Sequence, residues 1–316
     1  GRVMAGLVAQ RLAAALVVAV APLLLGLARW LKARMLGRAG PPPWQPVLAL
    51  AKLVRKRPVL AEGSSAVTRA APYVAVVALF AAALLVPSFA RGMALAPLSD
   101  LLLIGALLAL ARAAQVLAGL DAGTAFGGLG AAREASFAAL AEPAFLVAVL
   151  VIAMLVGGTN LEAASAALQE GSLGLRVSLA LVLVALVVVA LAENARLPVD
   201  NPATHLELTM VHEAMILEAS GRHLALWEAA SALKLLVWLS LLLALFVPFG
   251  TAGSVLAWPV AMLLWVGKLA LLVLALSAFE NAIAKMRVFR VPEFLGAALL
   301  LALVGAVLLF VSGVLA

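Results

Sequence analysis

Eight apolar runs of about 20 residues recur along this chain with polar connections between them, and a run of that length matches the hydrocarbon thickness of a bilayer. In lipid a backbone must satisfy its own polar groups, which leaves helices as the form such runs can take. The expectation is an all-α, polytopic integral membrane protein, a single membrane domain over residues 1–316. Composition agrees: 66% of residues are hydrophobic and 12% are charged, whereas a soluble surface needs roughly 25–35% charged residues.

The expected spans are about Val3–Ala28, Ala70–Ala90, Leu98–Leu117, Pro143–Val156, Leu173–Ala192, Leu224–Phe246, Val255–Phe279 and Glu293–Val314. The first is read as a span, not a signal peptide, because its apolar core is too long. Between spans one and two, the prolines of Gly37–Pro46 exclude a regular helix, while Val47–Lys56 predicts a short basic helix on the membrane surface. Gly119–Pro143 reads as a glycine-rich, then amphipathic, connection.

The formal charge is +7, yet the cations are arranged for topology and not for nucleic acid. Connections after spans one, three, five and seven carry sixteen Lys or Arg, with Arg112 and Arg133 counted in the second of them; the opposite side carries Arg2, Arg11, Arg91 and Arg176. The positive-inside rule places these odd connections in the cytoplasm and both termini outside. There is no cysteine, so no disulfide, thiolate-bound metal or iron–sulfur cluster belongs to this chain. Any electron chemistry is expected in a partner.

Six of the fifteen acidic residues and all three histidines fall within Glu193–Lys234. Asn201-Pro202 reads as a helix start and Gly221 as a left-handed helix stop, predicting a helix over Pro202–Ala219. On it His205 and His212 share one face, Glu207 and Glu218 lie nearly opposite, and Glu213 falls between. The two histidines are seven residues apart, about 10 Å along a helix, too far to ligate one ion. His212-Glu213 does not open a zinc-binding H-E-x-x-H either, because Ile216 takes the second histidine's place, and no metal site is expected. Two lysines, Lys234 and Lys268, fall inside spans. An unpaired lysine at the bilayer centre costs about 3 kcal/mol on insertion scales. Glu193 and Glu280, at the cytoplasmic ends of spans five and seven, are their natural partners.

Ala192–Pro202, A-E-N-A-R-L-P-V-D-N-P, resembles the A-E-x-x-R-x-P-x-D signature of subunit 1 of respiratory complex I (NADH–quinone oxidoreductase), the membrane component that joins its two arms. The following P-V-D-N-P-A-T-H-L-E-L-T-M-V-H-E-A-M-I-L-E-A-S-G is closer still to the hydrogenase branch. It is similar to formate hydrogenlyase subunit 4 and its equivalents in group 4, energy-converting [NiFe]-hydrogenases. Gly119–Pro143 resembles the corresponding loop of that branch, and the resemblance covers essentially the whole chain.

The resemblance implies a non-catalytic component of an oxidoreductase complex, without a redox centre of its own, in the inner membrane of a prokaryote. It implies partners: hydrogenase-like large and small subunits carrying [NiFe] and iron–sulfur centres on the cytoplasmic side, antiporter-like membrane subunits and the lipid bilayer. Carried over by motif, Glu193, Arg196, Asp200, Glu207, Glu213 and Glu218 belong to a coupling loop that starts a proton path, with His205 and His212 beside them. Arg133, Glu134 and Glu142 belong to the second cytoplasmic loop. Quinone-reducing members follow the aspartate with P-E-G-E-S-E; here Pro202-Ala203-Thr204-His205-Leu206-Glu207 has lost most of that acidity, which favours the hydrogenase branch. The alternatives are a quinone-reducing complex, a free-standing ion-coupled transporter using the same carboxylates, and a purely structural anchor.

Overall fold

The computed structural model describes residues 2–170, 177–200 and 210–315. Eleven α-helices account for the regular structure of these residues: α1 (Arg2–Met35), α2 (Gln45–Val54), α3 (Ala66–Leu85), α4 (Leu101–Asp121), α5 (Ala125–Val156), α6 (Leu161–Gln169), α7 (Val177–Glu193), α8 (His212–Ile216), α9 (Gly221–Phe246), α10 (Trp258–Ala282) and α11 (Val291–Leu315). Seven of them are long and apolar enough to cross a membrane, and α7, at 17 described residues, is a shorter apolar helix. The chain is a polytopic helical membrane protein.

Helix α9 is the pillar of the bundle. Ala232 to Leu241 are buried without interruption, so the helix has no lipid face along that stretch, which is apolar apart from Lys234 and Ser240. It touches α1, α2, α3, α6, α7 and α10. Small residues let the other helices close up, as is usual in membranes. Helix α3 packs on α4 with Ala71, Ala75, Ala78 and Ala82 all buried at helical spacing, and Gly305 of α11 brings that helix close to the Ser178 carbonyl of α7.

Capping sets the helix starts. Ser65 accepts from Val67 N at 3.1 Å, Asp100 from Leu102 N at 2.8 Å, Thr124 from Gly127 N at 3.2 Å and Asn160 from Ala163 N at 2.9 Å. Hydrogen bonds from Leu102 N and Leu103 N, with one from Thr159, hold the Asp100 carboxyl below its ordinary value against the opposing effect of burial, which is the largest single influence.

Connections on the same side of the bundle hold one another. On one side Asp121 accepts from Ser65 N (2.9 Å) and Thr68 N (3.1 Å), Val59 N donates to Ser220 Oγ (2.8 Å), Arg222 N to the Lys56 carbonyl (3.2 Å) and Met286 N to the Pro198 carbonyl (2.9 Å). Opposite, Gly92 N donates to Glu162 Oε1 (2.6 Å) and Ala252 N to the Phe89 carbonyl (2.7 Å). The odd connections therefore form one polar face.

Four expectations need correction. Gly119–Pro143 is not a long connection: α4 continues to Asp121 and α5 starts at Ala125, so Gly119, Gly127 and Gly130 are packing residues within helices and only Gly123 serves the short turn between them. At 32 residues α5 is about 48 Å long, more than the hydrocarbon core requires. Arg112 is not in a connection either, since it lies inside α4 and is 6% exposed. The helix expected over Pro202–Ala219 is, among its described residues, only the five-residue α8; its cap at Asn201-Pro202, with His205 and Glu207, lies outside the described residues. Gly221 is left-handed as expected, with φ +53°, but it opens α9 and ends nothing. A Cβ there would stand 2.6 Å from the Arg57 carbonyl oxygen.

Candidate functional site

A cavity of about 680 Å³ opens among α1, α3, α4, α8, α9 and the segment after α7. Its walls bring together residues far apart in sequence: Lys32, Glu193, Arg196, Asp200, His212 and Lys234. Ordinary apolar bundles do not concentrate ionisable side chains this way, and each needs a partner or water.

Behind the wall at Glu193 lies a double ion pair. Arg112, on α4, donates through Nη1 to Glu193 Oε1 at the end of α7 and through Nη2 to Glu142 Oε1 on α5. Glu193 is buried, whereas the Glu142 side chain is 49% exposed. On another wall of the cavity, Lys234 of α9 is buried, and its Nζ has no hydrogen-bond partner among the described residues. Its charge is felt at Glu134, Glu193 and His212.

Helix α8 delivers His212 to this group because glycine gives it a seat. A Cβ on Gly130 of α5 would lie 2.7 Å from the Val211 carbonyl oxygen, and one on Gly119 of α4 would lie 3.0 Å from Met215 Cγ. Arg133 Nη1 ties down the chain just before α8 by donating to the Met210 carbonyl at 3.1 Å. His212 Nδ1 then stands 3.8 Å from Glu134 Oε2. Burial, reinforced by the Lys234 charge, lowers the imidazole to about 4, so it is neutral at physiological pH.

A second group lies nearer the polar face. Glu280 of α10 is buried between Lys32 Nζ and Arg196 Nη1, each at 3.5 Å. Burial pulls the Arg196 guanidinium below its ordinary value, and the Glu280 charge opposes that. Asp200 accepts from Lys285 Nζ and from Val211 N, both at 3.3 Å, which links the segment after α7 to the one after α10 and to α8. Glu213 also lines the cavity, while Glu218 is exposed at the surface.

The structure thus brings Glu193, Arg196, Asp200, His212, Glu213, Lys234, Glu134, Glu142 and Glu280 to one region. It does not pair the two lysines with carboxylates as expected. Glu193 is taken by Arg112 and Glu280 by Lys32 and Arg196, and Lys268 instead donates to the Val247 (3.1 Å) and Phe249 (2.7 Å) carbonyls at the end of α9. Arg133, Glu134 and Glu142 sit on helix α5 and not in a loop. Sequence reasoning missed Arg112 and Lys32. Arg112 had a signal, a lone cation amid L-L-A-L-A-R-A-A, which reads as an intramembrane charge; Lys32 had none beyond its place in a basic connection. Among the described residues, no three of His, Cys, Asp and Glu stand together as a metal site.

A family model described as NADH dehydrogenase matches residues 8–311. The chain belongs to this family. Among relatives in the NADH dehydrogenase family, it is 33% identical over 280 residues to formate hydrogenlyase subunit 4 of Escherichia coli (strain K12), covering 87% of this chain and 89% of that protein. It is 32% identical over 276 residues to hydrogenase-4 component C of the same organism, covering 87% and 86%. A solved structure, the membrane-bound sulfane sulfur reductase, an archaeal respiratory membrane complex, contains a chain with the same fold: TM-score 0.81 at 19% identity, over 95% of this chain and 99% of that one. The chain is accordingly a membrane subunit of the hydrogenase-type and complex I-like class.

Proposed function

We propose that this subunit anchors a soluble hydrogenase-type redox arm on its polar face and couples electron transfer in that arm to movement of a proton or sodium ion into the membrane. The observation that carries the reading is the composition of the group around Glu193, the carboxylate that lines the inner wall of the cavity. Two cations, Arg112 and Lys234, face three carboxylates, Glu134, Glu142 and Glu193, beside a neutral His212. Their formal sum is one negative charge at a site buried except at Glu142, while the nearer trio of Lys32, Arg196 and Glu280 sums to one positive charge. A cation that crosses the trio is drawn to the group around Glu193 and neutralises it.

On this reading the odd connections face the cytoplasm, both termini lie outside, and the membrane is a prokaryotic inner membrane. Hydrogenase-like large and small subunits, carrying the [NiFe] and iron–sulfur centres, cover the cavity mouth, and antiporter-like subunits continue the membrane arm. A redox step in the docked arm changes the charge at the mouth, and the cavity transmits it to Glu193. The test is Glu193→Gln in the whole complex reconstituted into liposomes. Co-purification of the soluble arm with loss of ion pumping is expected; undiminished pumping by an assembled variant overturns the reading.

A further inference from the structure

Two cavities reach the middle of the bundle from different directions. The larger opens near the polar face; a smaller one, about 330 Å³, lies between α4 and α5, where Leu102 and Leu146 are exposed on the outer surface of the bundle. Among the described residues Glu193 alone lines both. Arg112 and Glu142 line only the smaller one. Glu193 Oε1 accepts from Arg112, and Glu193 Oε2 is buried with no hydrogen-bond partner among the described residues. Arg112 therefore stands between a carboxyl reached from the larger cavity and a carboxyl on the wall of the smaller.

Arginine does not surrender its proton inside proteins, so Arg112 is no relay. Its fixed charge repels a proton passing between the two carboxylates, most strongly where water is scarce. The planar guanidinium offers separate N–H groups to Glu193 and Glu142, and it holds both most strongly while both are charged. A proton on the unpartnered Oε2 turns Oε1 into a neutral acceptor and weakens its hold on Nη1.

We propose that Arg112 is a positioning residue that gates proton transfer from Glu193 to Glu142, closed while it bridges both and opened when protonation of Glu193 releases it. This rests on the coupling function proposed above. In the open state one O–H bond breaks at Glu193 and one forms at Glu142; a single proton moves and no electron changes place. Return of Arg112 to the emptied Glu193 carboxylate resets the gate, and the O–H bond at Glu142 breaks as the proton passes to water or to a carboxylate of the membrane subunit proposed above to continue the membrane arm.

The test uses the intact complex in liposomes with a pH-sensitive dye, under an imposed pH gradient and with no redox substrate. Arg112→Gln is expected to leak protons roughly ten-fold faster than the native complex, and Arg112→Gln/Glu142→Gln to return to the native rate. Arg112→Lys keeps the charge but serves one carboxylate at a time, so it leaks at an intermediate rate. It carries the test if Arg112→Gln does not assemble. Native tightness in the assembled Arg112 variants, or a leak that survives loss of Glu142, overturns the gate. Loss of pumping in Glu193→Gln together with tight Arg112 variants would discard the gate and keep the coupling function; native pumping in Glu193→Gln would discard both.

Discussion

His212 Nδ1 lies 3.8 Å from Glu134 Oε2 across the contact between α8 and α5, with side chains 16% and 5% exposed. Among the described residues neither imidazole nitrogen has a hydrogen-bond partner, so α8 holds a neutral histidine against a carboxyl in a site that resists charging. The ordinary value of 6.5 falls to about 4, chiefly through burial. Between those two values the unfolded chain binds a proton that the folded chain refuses, and stability therefore falls as pH drops through that window. The thermal midpoint of the purified complex is expected to decline from about pH 6.5 towards 4 more steeply than that of His212→Gln. Parallel declines would show that His212 does not carry the effect.

The seat of α8 gives a second prediction. Gly130 and Gly128 are both within α5, two residues apart, yet a Cβ on Gly130 would meet the Val211 carbonyl oxygen at 2.7 Å while one on Gly128 meets nothing within 4 Å. Backbone cannot swing aside as a side-chain tip can. Gly130→Val is expected to destabilise by about 1–3 kcal/mol and to shift His212 away from Glu134. Gly128→Ala should stabilise by up to about 1 kcal/mol, the usual gain for removing glycine from a helix interior. Thermal unfolding of the two variants side by side checks the contrast; equal losses would mean that α8 does not depend on Gly130.

How much of this was legible beforehand follows from what kind of information each feature uses. Spans were legible because length and hydropathy are local: the expected Leu224–Phe246 is α9, Gly221–Phe246, and the basic surface helix expected over Val47–Lys56 is α2, Gln45–Val54. Helix α5 was not, because Gly119, Gly127 and Gly130 look like loop residues when the neighbours that crowd them are unseen. Pro22, Pro72 and Pro143 all lie inside helices, where neighbouring helices in a bundle tolerate them. Arg112 was hidden by counting every cation near a span end as topology. The partners of Glu280 were hidden more deeply: Lys32, Arg196 and Glu280 come from α1, the segment after α7 and α10, and no periodicity links them. The dense charge of Glu193–Lys234 marked the region, although the pairings inside it are tertiary.

Glu280 provides the last prediction. Its side chain is 1% exposed, against 24% for Lys32 and 8% for Arg196, so it is a buried anion facing two cations drawn from separate parts of the chain. Glu280→Gln removes the charge at nearly constant volume and leaves Arg196 buried without a counter-ion. Breaking a buried pair from one side typically costs about 3–5 kcal/mol, whereas replacing both partners with apolar groups is often neutral. Glu280→Gln is therefore expected to lower the thermal midpoint of the complex sharply. Glu280→Leu/Arg196→Met should recover much of the loss, with Lys32 able to turn towards solvent because it is the more exposed partner. The same pair separates stability from coupling: if the trio screens the cavity mouth, the double variant folds but changes the pH dependence of ion uptake. A double variant as unstable as Glu280→Gln would mean that Lys32, and not Arg196, makes Glu280 necessary.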